Sequence, residues 1–347
     1  MASRSGTFFG ERGVAGFTHR AFTKAMGYDD ADMDRPVIGI CNTFSELNNC
    51  NSNLRTLAEA VKRGVWQAGG FPLEFPTISL GEIFLNPTSM LYRNLAAMDT
   101  EEMIRAQPID GVALLTNCDK TTPAALMGAA SADLPAILVS GGPMLSGHFE
   151  GQILGACTDC RRLTAEYHAG TLDEATYRSI EDGIVRSVGH CMVMGTASTM
   201  NSLAEALGIA LPNNGAIPAP DSRRLRLAEA AGRQIVALVA AGLRPSAIMT
   251  REAFENAIVL LSALGGSTNA VVHLPAIAGR LGVELPLSLY DEISRRTPLI
   301  ANMRPALRGK ALTAAAIPCA TPALTTGKTS DPPTYPSGDG LRLPTAR

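Results

Sequence analysis

The most constraining feature of this sequence is the alternation of short apolar runs with helical patterns in its amino-terminal part. The segments "RPVIGIC" at 35–41 and "DGVALLT" at 110–116 have the length and the β-branched or apolar character of buried strands. "TPAALMGAASA" at 122–132 has a helical pattern, and the apolar run "PAILVSGG" at 135–142 follows it. Strand, helix and strand in this order predict a parallel sheet with right-handed crossovers. We therefore expect an α/β fold.

The rest of the chain refines this prediction. "FPLEFPTIS" at 71–79 is a further predicted strand, and its prolines favour an edge position or a strand end. Additional helices are predicted further on, several of them beginning at Ser, Thr or Asp, and they lie at 171–187, 196–208, 221–242 and 250–266. From 306 to 347 the sequence is rich in Pro, Ala and Thr without a lasting period, so we expect a disordered tail there.

Composition excludes several classes of protein. The chain has 347 residues, 46% of them hydrophobic, which is ample material for a core. A formal net charge of -2 provides no basic surface for nucleic acid. The longest apolar runs, such as "AIVLLSALGG", are too short to span a bilayer, and the first residues lack the apolar core of a signal peptide. We expect a soluble cytoplasmic protein that binds neither nucleic acid nor membrane.

Polar residues follow three of the predicted strands. In an open parallel sheet, ligands bind beyond the carboxyl ends of the strands. The first strand leads to Cys50, the second leads through "SLGE" to Glu82, and the third leads into Asn117, Cys118, Asp119 and Lys120. We therefore expect these side chains to share one edge of the sheet and to form a candidate site.

The seven cysteines, at 41, 50, 118, 157, 160, 191 and 319, do not resemble a disulfide framework, because their number is odd and a cytosolic chain is kept reduced. Cys50, Cys118 and Cys191 each precede a predicted helix, where amide donors and the helix dipole favour a thiolate. Three thiolates suit an iron–sulfur cluster with one open iron, whereas structural zinc usually takes four ligands. The alternative is three buried thiols at helix starts.

The pair Cys157 and Cys160 has CxxC spacing, but it lacks both a thioredoxin-like context and a second pair, so we interpret it as incidental. The histidines show no ligand spacing such as HExxH. His190 is the only one beside a candidate ligand, and we expect a structural role for it.

Glu82 and Asp119 offer oxygen ligands of the kind that Mg²⁺ takes. Lys120 beside them allows two interpretations. It is either a lysine paired with Asp119, a weakly stabilising arrangement at a surface, or a lysine whose carbamate is an anionic metal ligand.

Four long motifs carry a family resemblance. "RPVIGICNTFSELNNCN", "GGFPLEFPTISLGE", "NCDKTTPAALMGAASADLPAILVSGGPM" and "GHCMVMGTASTMNSLAEALG" closely resemble the dihydroxy-acid dehydratase and phosphogluconate dehydratase family. Within it, the resemblance is closest to aldonic-acid dehydratases acting on arabinonate, xylonate or similar sugar acids. It runs from about Gly10 to about Pro305 and implies an α/β/α cluster-binding N-terminal domain over 1–305.

The resemblance also implies cofactors and a reaction. Cys50, Cys118 and Cys191 would bind a [2Fe-2S] cluster, with [4Fe-4S] as the alternative, while Glu82, Asp119 and a carbamylated Lys120 would hold Mg²⁺. The implied hydro-lyase removes water from a 2,3-dihydroxy acid and yields a 2-keto-3-deoxy acid, with the cluster and Mg²⁺ as Lewis acids. Full-length members of this kind are expected to be homo-oligomers.

The family's catalytic serine base and a further acidic Mg²⁺ ligand belong to a second domain that 306–347 does not resemble. We therefore expect a truncated or frame-shifted tail, an impaired enzyme, and no catalytic base in this chain. Two alternatives stay open, a dihydroxy-acid dehydratase of branched-chain amino-acid synthesis and a non-catalytic cluster-binding remnant. The pair Gly81-Glu82, where dihydroxy-acid dehydratases usually have Ser-Asp, favours the sugar-acid branch. A nucleotide-binding domain is disfavoured, because no GxGxxG follows the first strand.

Overall fold

The computed structural model describes residues 3–156 and 158–301. Its centre is a four-stranded parallel sheet of strand order β2-β1-β3-β4. The strands are β1 (Val37–Asn42), β2 (Phe71–Pro76), β3 (Gly111–Thr116) and β4 (Ala136–Ser140). A small antiparallel hairpin follows, formed by β5 (Gly147–Phe149) and β6 (Gln152–Leu154). The predicted α/β fold with a parallel sheet is confirmed.

Fourteen α-helices surround the sheet in the described residues. They are α1 (Arg4–Gly10), α2 (Val14–Ala25), α3 (Asp30–Met33), α4 (Leu54–Gln67), α5 (Arg93–Ala106), α6 (Thr121–Ala132), α7 (Thr158–His168), α8 (Glu174–Ile184), α9 (Thr196–Ala206), α10 (Ser222–Ala241), α11 (Pro245–Ile248), α12 (Arg251–Leu264), α13 (Ala270–Ala278) and α14 (Leu287–Arg296). None of them, over the part of the chain that the structure describes, is both long and apolar enough to cross a bilayer. The cytoplasmic location stays a prediction.

The predicted strands β1–β4 and the predicted helices α6, α8, α9, α10 and α12 are observed. Helices α1, α2, α3, α7, α11 and α14 were not predicted. Strand β2, which contains two prolines, lies at the edge of the sheet, where a missing backbone N–H is tolerated. Helix α5 was not predicted, because its large apolar residues Leu95 and Met98 are exposed while much of its buried face is alanine. The predicted tail at 306–347, Cys157 and Cys319 lie outside the described residues.

The two faces of the sheet pack against different helices. Side chains alternate along each strand, so that Ile38, Leu115 and Val139 face the layer of α4 and α10. Leu114 and Leu138 face the opposite layer, which includes α5, α6 and α9. Both faces are therefore buried, which explains why the strands are continuous apolar runs rather than alternating ones. The architecture has three layers, helix, sheet and helix.

Two glycines allow α4 and α10 to pack with their backbones in contact. A Cβ atom at Gly64 would lie 2.0 Å from the carbonyl oxygen of Glu229, and one at Gly232 would lie 2.1 Å from that of Val61. Neither position has room for a methyl group. The chain therefore has glycine in two helix interiors, although glycine there costs conformational entropy.

We predict that Gly64→Ala lowers the free energy of unfolding by about 1–3 kcal/mol, because the methyl group forces the two helices apart. In an uncrowded helix the same change stabilises by up to about 1 kcal/mol, so the sign of the effect is informative. Chemical denaturation measures it. Gly10→Ala is the control, since a Cβ there meets nothing within 4 Å. Equal stability of the two variants would contradict the close helix contact.

Candidate functional site

The candidate site lies at the carboxyl edge of the sheet. Strand β1 ends at Asn42 and is followed by the loop that carries Cys50, while β3 ends at Thr116 and continues into 117–120 before α6 begins. The segment after β2 brings Glu82 to the same edge, where its Oε2 lies 3.3 Å from the Nζ of Lys120. The structure thus brings the predicted side chains together. Their roles as ligands stay predictions.

The three candidate cysteines form one group. Cys118 and Cys191 both lie close enough to Cys50 to act on its thiol. The pKa of the Cys50 thiol lies well above its usual value, first because of its side-chain interaction with Cys118, then because of burial and the negative charges of Cys118, Asp119 and Cys191. Without a cation, these surroundings oppose ionisation of Cys50.

This arrangement fits an iron–sulfur cluster. Thiols that repel each other as thiolates become good ligands when a metal supplies positive charge, because coordination deprotonates a thiol outright. Cys118 is buried, while Cys50 and Cys191 are half-buried. Two of the three residues thus retain partial solvent exposure.

Lys120 lies between two carboxylates. Its Nζ is 2.8 Å from Oδ2 of Asp119 and 3.3 Å from Oε2 of Glu82, and its side chain is only 6% exposed. Burial lowers the pKa of Lys120, but the two carboxylates outweigh it and the pKa is raised overall. Burial and the charge of Glu82 raise the pKa of Asp119, and Lys120 only partly offsets them. The unmodified lysine therefore acts as the cation of this group.

The same geometry determines how a metal ion could be held. An ammonium group competes with Mg²⁺ for the oxygens of Glu82 and Asp119, so the set fits Mg²⁺ only if Lys120 loses its positive charge. A carbamate on Nζ would replace that charge with carboxylate oxygens, which are ligands that Mg²⁺ accepts. Within 3–156 and 158–301, no group of three or more His, Cys, Asp or Glu side chains could hold a metal ion. As placed here, therefore, neither the two carboxylates nor the three cysteines form a complete site for a single ion.

Several polar residues that support the site were not predicted from the sequence. Asn51 Oδ1 accepts a hydrogen bond of 3.0 Å from the backbone N–H of Cys118, and Asn51 Nδ2 donates to the carbonyl oxygen of Thr43. Ser89 Oγ donates to Glu82. The signal that could have identified the first of them is the asparagine-rich segment "NNCNSN" around Cys50.

Two buried histidines lie nearby, and both have a lowered pKa that favours the neutral imidazole. Burial lowers the pKa of His190 to about 4, and its Nδ1 lies 2.9 Å from the carbonyl oxygen of Cys191. Burial and the positive charges of Arg93 and Lys120 lower the pKa of His273 to about 3. The geometry of His190 supports its expected structural role. His273 was not singled out in the sequence.

We predict that a short bifunctional thiol reagent cross-links Cys50 to Cys118 in cluster-free protein, because Asn117, the residue before Cys118, is hydrogen-bonded to the Cys50 carbonyl oxygen and the two thiols lie near each other. Peptide mass spectrometry identifies the linked residues. Cys118→Ser should abolish the cross-link, whereas Cys160→Ser, a change in α7, should leave it intact. Linkage of Cys50 to Cys160 instead would contradict the geometry of the group.

Comparison with known proteins finds similarity to dehydratases. A family model described as dihydroxy-acid/6-phosphogluconate dehydratase N-terminal matches residues 35–316. An L-arabonate dehydratase from Azospirillum brasilense is 56% identical over 306 residues, covering 88% of this chain and 52% of that protein. An L-arabinonate dehydratase from Rhizobium leguminosarum bv. trifolii is 52% identical over 288 residues, covering 83% of this chain and 50% of that protein.

Relatives with lower sequence identity include proteins named dihydroxy-acid dehydratase. A dihydroxy-acid dehydratase from Pyrococcus abyssi is 46% identical over 301 residues, covering 85% of this chain and 54% of that protein. The chain thus spans about half the length of the curated relatives it matches.

Proposed function

The chain belongs to the dihydroxy-acid/6-phosphogluconate dehydratase family, and on that premise we propose that it is the cluster- and Mg²⁺-binding part of an aldonic-acid dehydratase. The observation that carries the proposal is the meeting of three thiols with a carboxylate–lysine group at one edge of the sheet. The proposed substrate is a sugar acid such as L-arabinonate or D-xylonate. The proposed product is a 2-keto-3-deoxy acid.

The similarity values support this branch of the family. The relatives named as arabonate or arabinonate dehydratases are 56% and 52% identical, while the Pyrococcus abyssi dihydroxy-acid dehydratase is 46% identical over a similar span. Dihydroxy-acid dehydration in branched-chain amino-acid synthesis is therefore the second candidate. Turnover of a sugar acid compared with a branched 2,3-dihydroxy acid distinguishes the two.

The residues of this chain would perform the binding steps. Cys50, Cys118 and Cys191 would hold the cluster, while Glu82, Asp119 and a carbamylated Lys120 would hold Mg²⁺. When bound, the two centres supply Lewis acidity toward the hydroxyl and carboxylate oxygens of the substrate. The surrounding protein buries Cys118 and Lys120, whereas Glu82 is exposed and Cys50 and Cys191 are half-buried. Removal of the C2 proton needs a base, which the family resemblance assigns to the second domain.

We predict that protein purified without oxygen contains iron and acid-labile sulfide and absorbs visible light. Cys50→Ser should lose most of both, because removing one thiolate removes a cluster ligand. Cys160→Ser is the matched control and should retain them. Iron-free wild-type protein, after expression with an adequate iron and sulfide supply, would contradict the proposed cluster function.

A second prediction concerns Lys120. Mg²⁺ affinity of the wild-type chain should rise with added bicarbonate, because carbamylation turns Lys120 from a competing cation into a ligand. Lys120→Arg keeps the positive charge but forms no such carbamate, so it should bind Mg²⁺ about tenfold more weakly or worse and lose the bicarbonate effect. Calorimetric titration measures both.

The control for Lys120 is Lys62→Arg. Lys62 also lies between two carboxylates, 2.8 Å from Glu59 and 2.5 Å from Glu74, but its side chain is 24% exposed and its ion-pair partners are not the proposed Mg²⁺ ligands. This variant should bind Mg²⁺ like the wild type. Loss of affinity in both variants would mean that the effect is not specific to a carbamate on Lys120.

Turnover separates the enzyme from a non-catalytic binding protein. A chain that binds iron and Mg²⁺ but releases no 2-keto acid from L-arabinonate would support the binding role. Measurable 2-keto acid, lost in Asp119→Asn, would support dehydration by this chain.

A further inference from the structure

We propose that Asn117 is the positioning residue that fixes the relative places of the three cysteine-bearing segments, an inference that rests on the proposed cluster. Its side chain is fully buried and both of its N–H donors are used. Nδ2 donates to the carbonyl oxygen of Cys50 at 2.7 Å and to that of Gly142 at 2.9 Å. Oδ1 accepts from the Gly142 N–H at 2.9 Å and from Ser140 Oγ at 2.9 Å. Asn201 Nδ2 donates to the same oxygen at 3.2 Å.

The first two cysteine segments meet directly at this amide. Cys118 follows Asn117 in the chain, and the carbonyl oxygen of Cys50 is bound by the Asn117 side chain. The connection joins residues 67 positions apart in sequence. Asn117 is bonded to the backbone of Cys50 and is the chain neighbour of Cys118. Its position therefore determines how far apart the two cysteine residues lie.

The third segment is reached through Gly142. The carbonyl oxygen of Gly142 accepts one bond from Asn117 and another, of 3.0 Å, from the backbone N–H of His190. Pro143 and His190 pair in a short parallel bridge, which holds the residue before Cys191 against the end of β4. A shift of the Asn117 side chain would therefore move the segment that carries Cys191 as well.

Two glycines of the turn after β4, Gly141 and Gly142, lie next to this amide. A Cβ atom at Gly141 would lie 2.8 Å from both Cγ and Nδ2 of Asn117, so any larger residue there would displace the side chain. Gly142 has a φ of +87°, a conformation that L-residues with side chains rarely adopt. Both features keep the turn after β4 in contact with Asn117.

The test compares Asn117→Asp with Asn214→Asp. The first change keeps the acceptor oxygen but replaces the two N–H donors with an oxygen that repels the carbonyls of Cys50 and Gly142. Asn214 is equally buried and also binds the end of β4, since its Oδ1 accepts from the Ser140 N–H at 2.8 Å. Its Nδ2 has no hydrogen-bond partner among the described residues. The control therefore introduces the same buried carboxylate without removing a bond to a cysteine segment.

Two readouts are used, and one of them needs no cluster. In cluster-free protein, Asn117→Asp should slow cross-linking of Cys50 to Cys118 about tenfold, because two buried hydrogen bonds that hold the segments are lost. In loaded protein, it should speed iron release to a chelator about tenfold and change the visible circular dichroism of the cluster. Asn214→Asp should stay within about twofold of the wild type in both rates.

Wild-type rates and an unchanged cluster spectrum in Asn117→Asp would overturn the proposal, as would equal changes in Asn214→Asp. If far-ultraviolet circular dichroism shows that Asn117→Asp is unfolded, Asn117→Ala, which buries no charge, provides the same comparison. A wild-type chain without iron in which cross-linking still depends on Asn117 would refute the proposed cluster function and support the positioning role. Iron binding that is insensitive to Asn117 would support the proposed cluster function and refute the positioning role.

Discussion

Strand β1 pairs in parallel with β3, from Ile38 opposite Gly111 to Asn42 opposite Leu115, so both strands end at the same edge of the sheet. The loop with Cys50 and the turn with Cys118 leave that edge side by side. Every later feature of the candidate site depends on this pairing. In an antiparallel sheet the two segments would leave from opposite edges, and the thiols would be separated by the length of a strand.

The charges at this edge bear on the proposed metal binding. Burial disfavours the charged forms of Asp119 and Lys120; the carboxylates outweigh this for Lys120, whereas Lys120 only partly offsets it for Asp119. The pKa of the Cys50 thiol is raised by its interaction with Cys118, by burial and by neighbouring negative charges. Positive metal centres would relieve the repulsion between thiolates, and carbamylation of Lys120 would let a divalent ion replace the ammonium group. Both parts of the proposed site would gain from metal binding for related electrostatic reasons.

The sequence predicted the parts of the fold that depend on local pattern. Strands β1, β3 and β4 are continuous apolar runs, and the edge position of β2 followed from its prolines. The meeting of Glu82, Asp119 and Lys120 was predictable because parallel strands deliver their following residues to one edge. Helix α5 was missed because Leu95 and Met98 are exposed and hide its periodicity. Asn117 was expected at this edge, but its role was not predicted, because it bonds to residues 67 and 84 positions away and no local pattern signals such contacts.

The central claim is that Cys50, Cys118 and Cys191 hold an iron–sulfur cluster at this edge. X-ray absorption at the iron edge of anaerobically purified chain tests it most directly, because it reports the atoms that surround iron. The account predicts sulfur neighbours together with a second iron atom at short range, and a reduced number of sulfur neighbours in Cys191→Ser. Iron surrounded only by oxygen and nitrogen, or a spectrum unchanged in that variant, would contradict it.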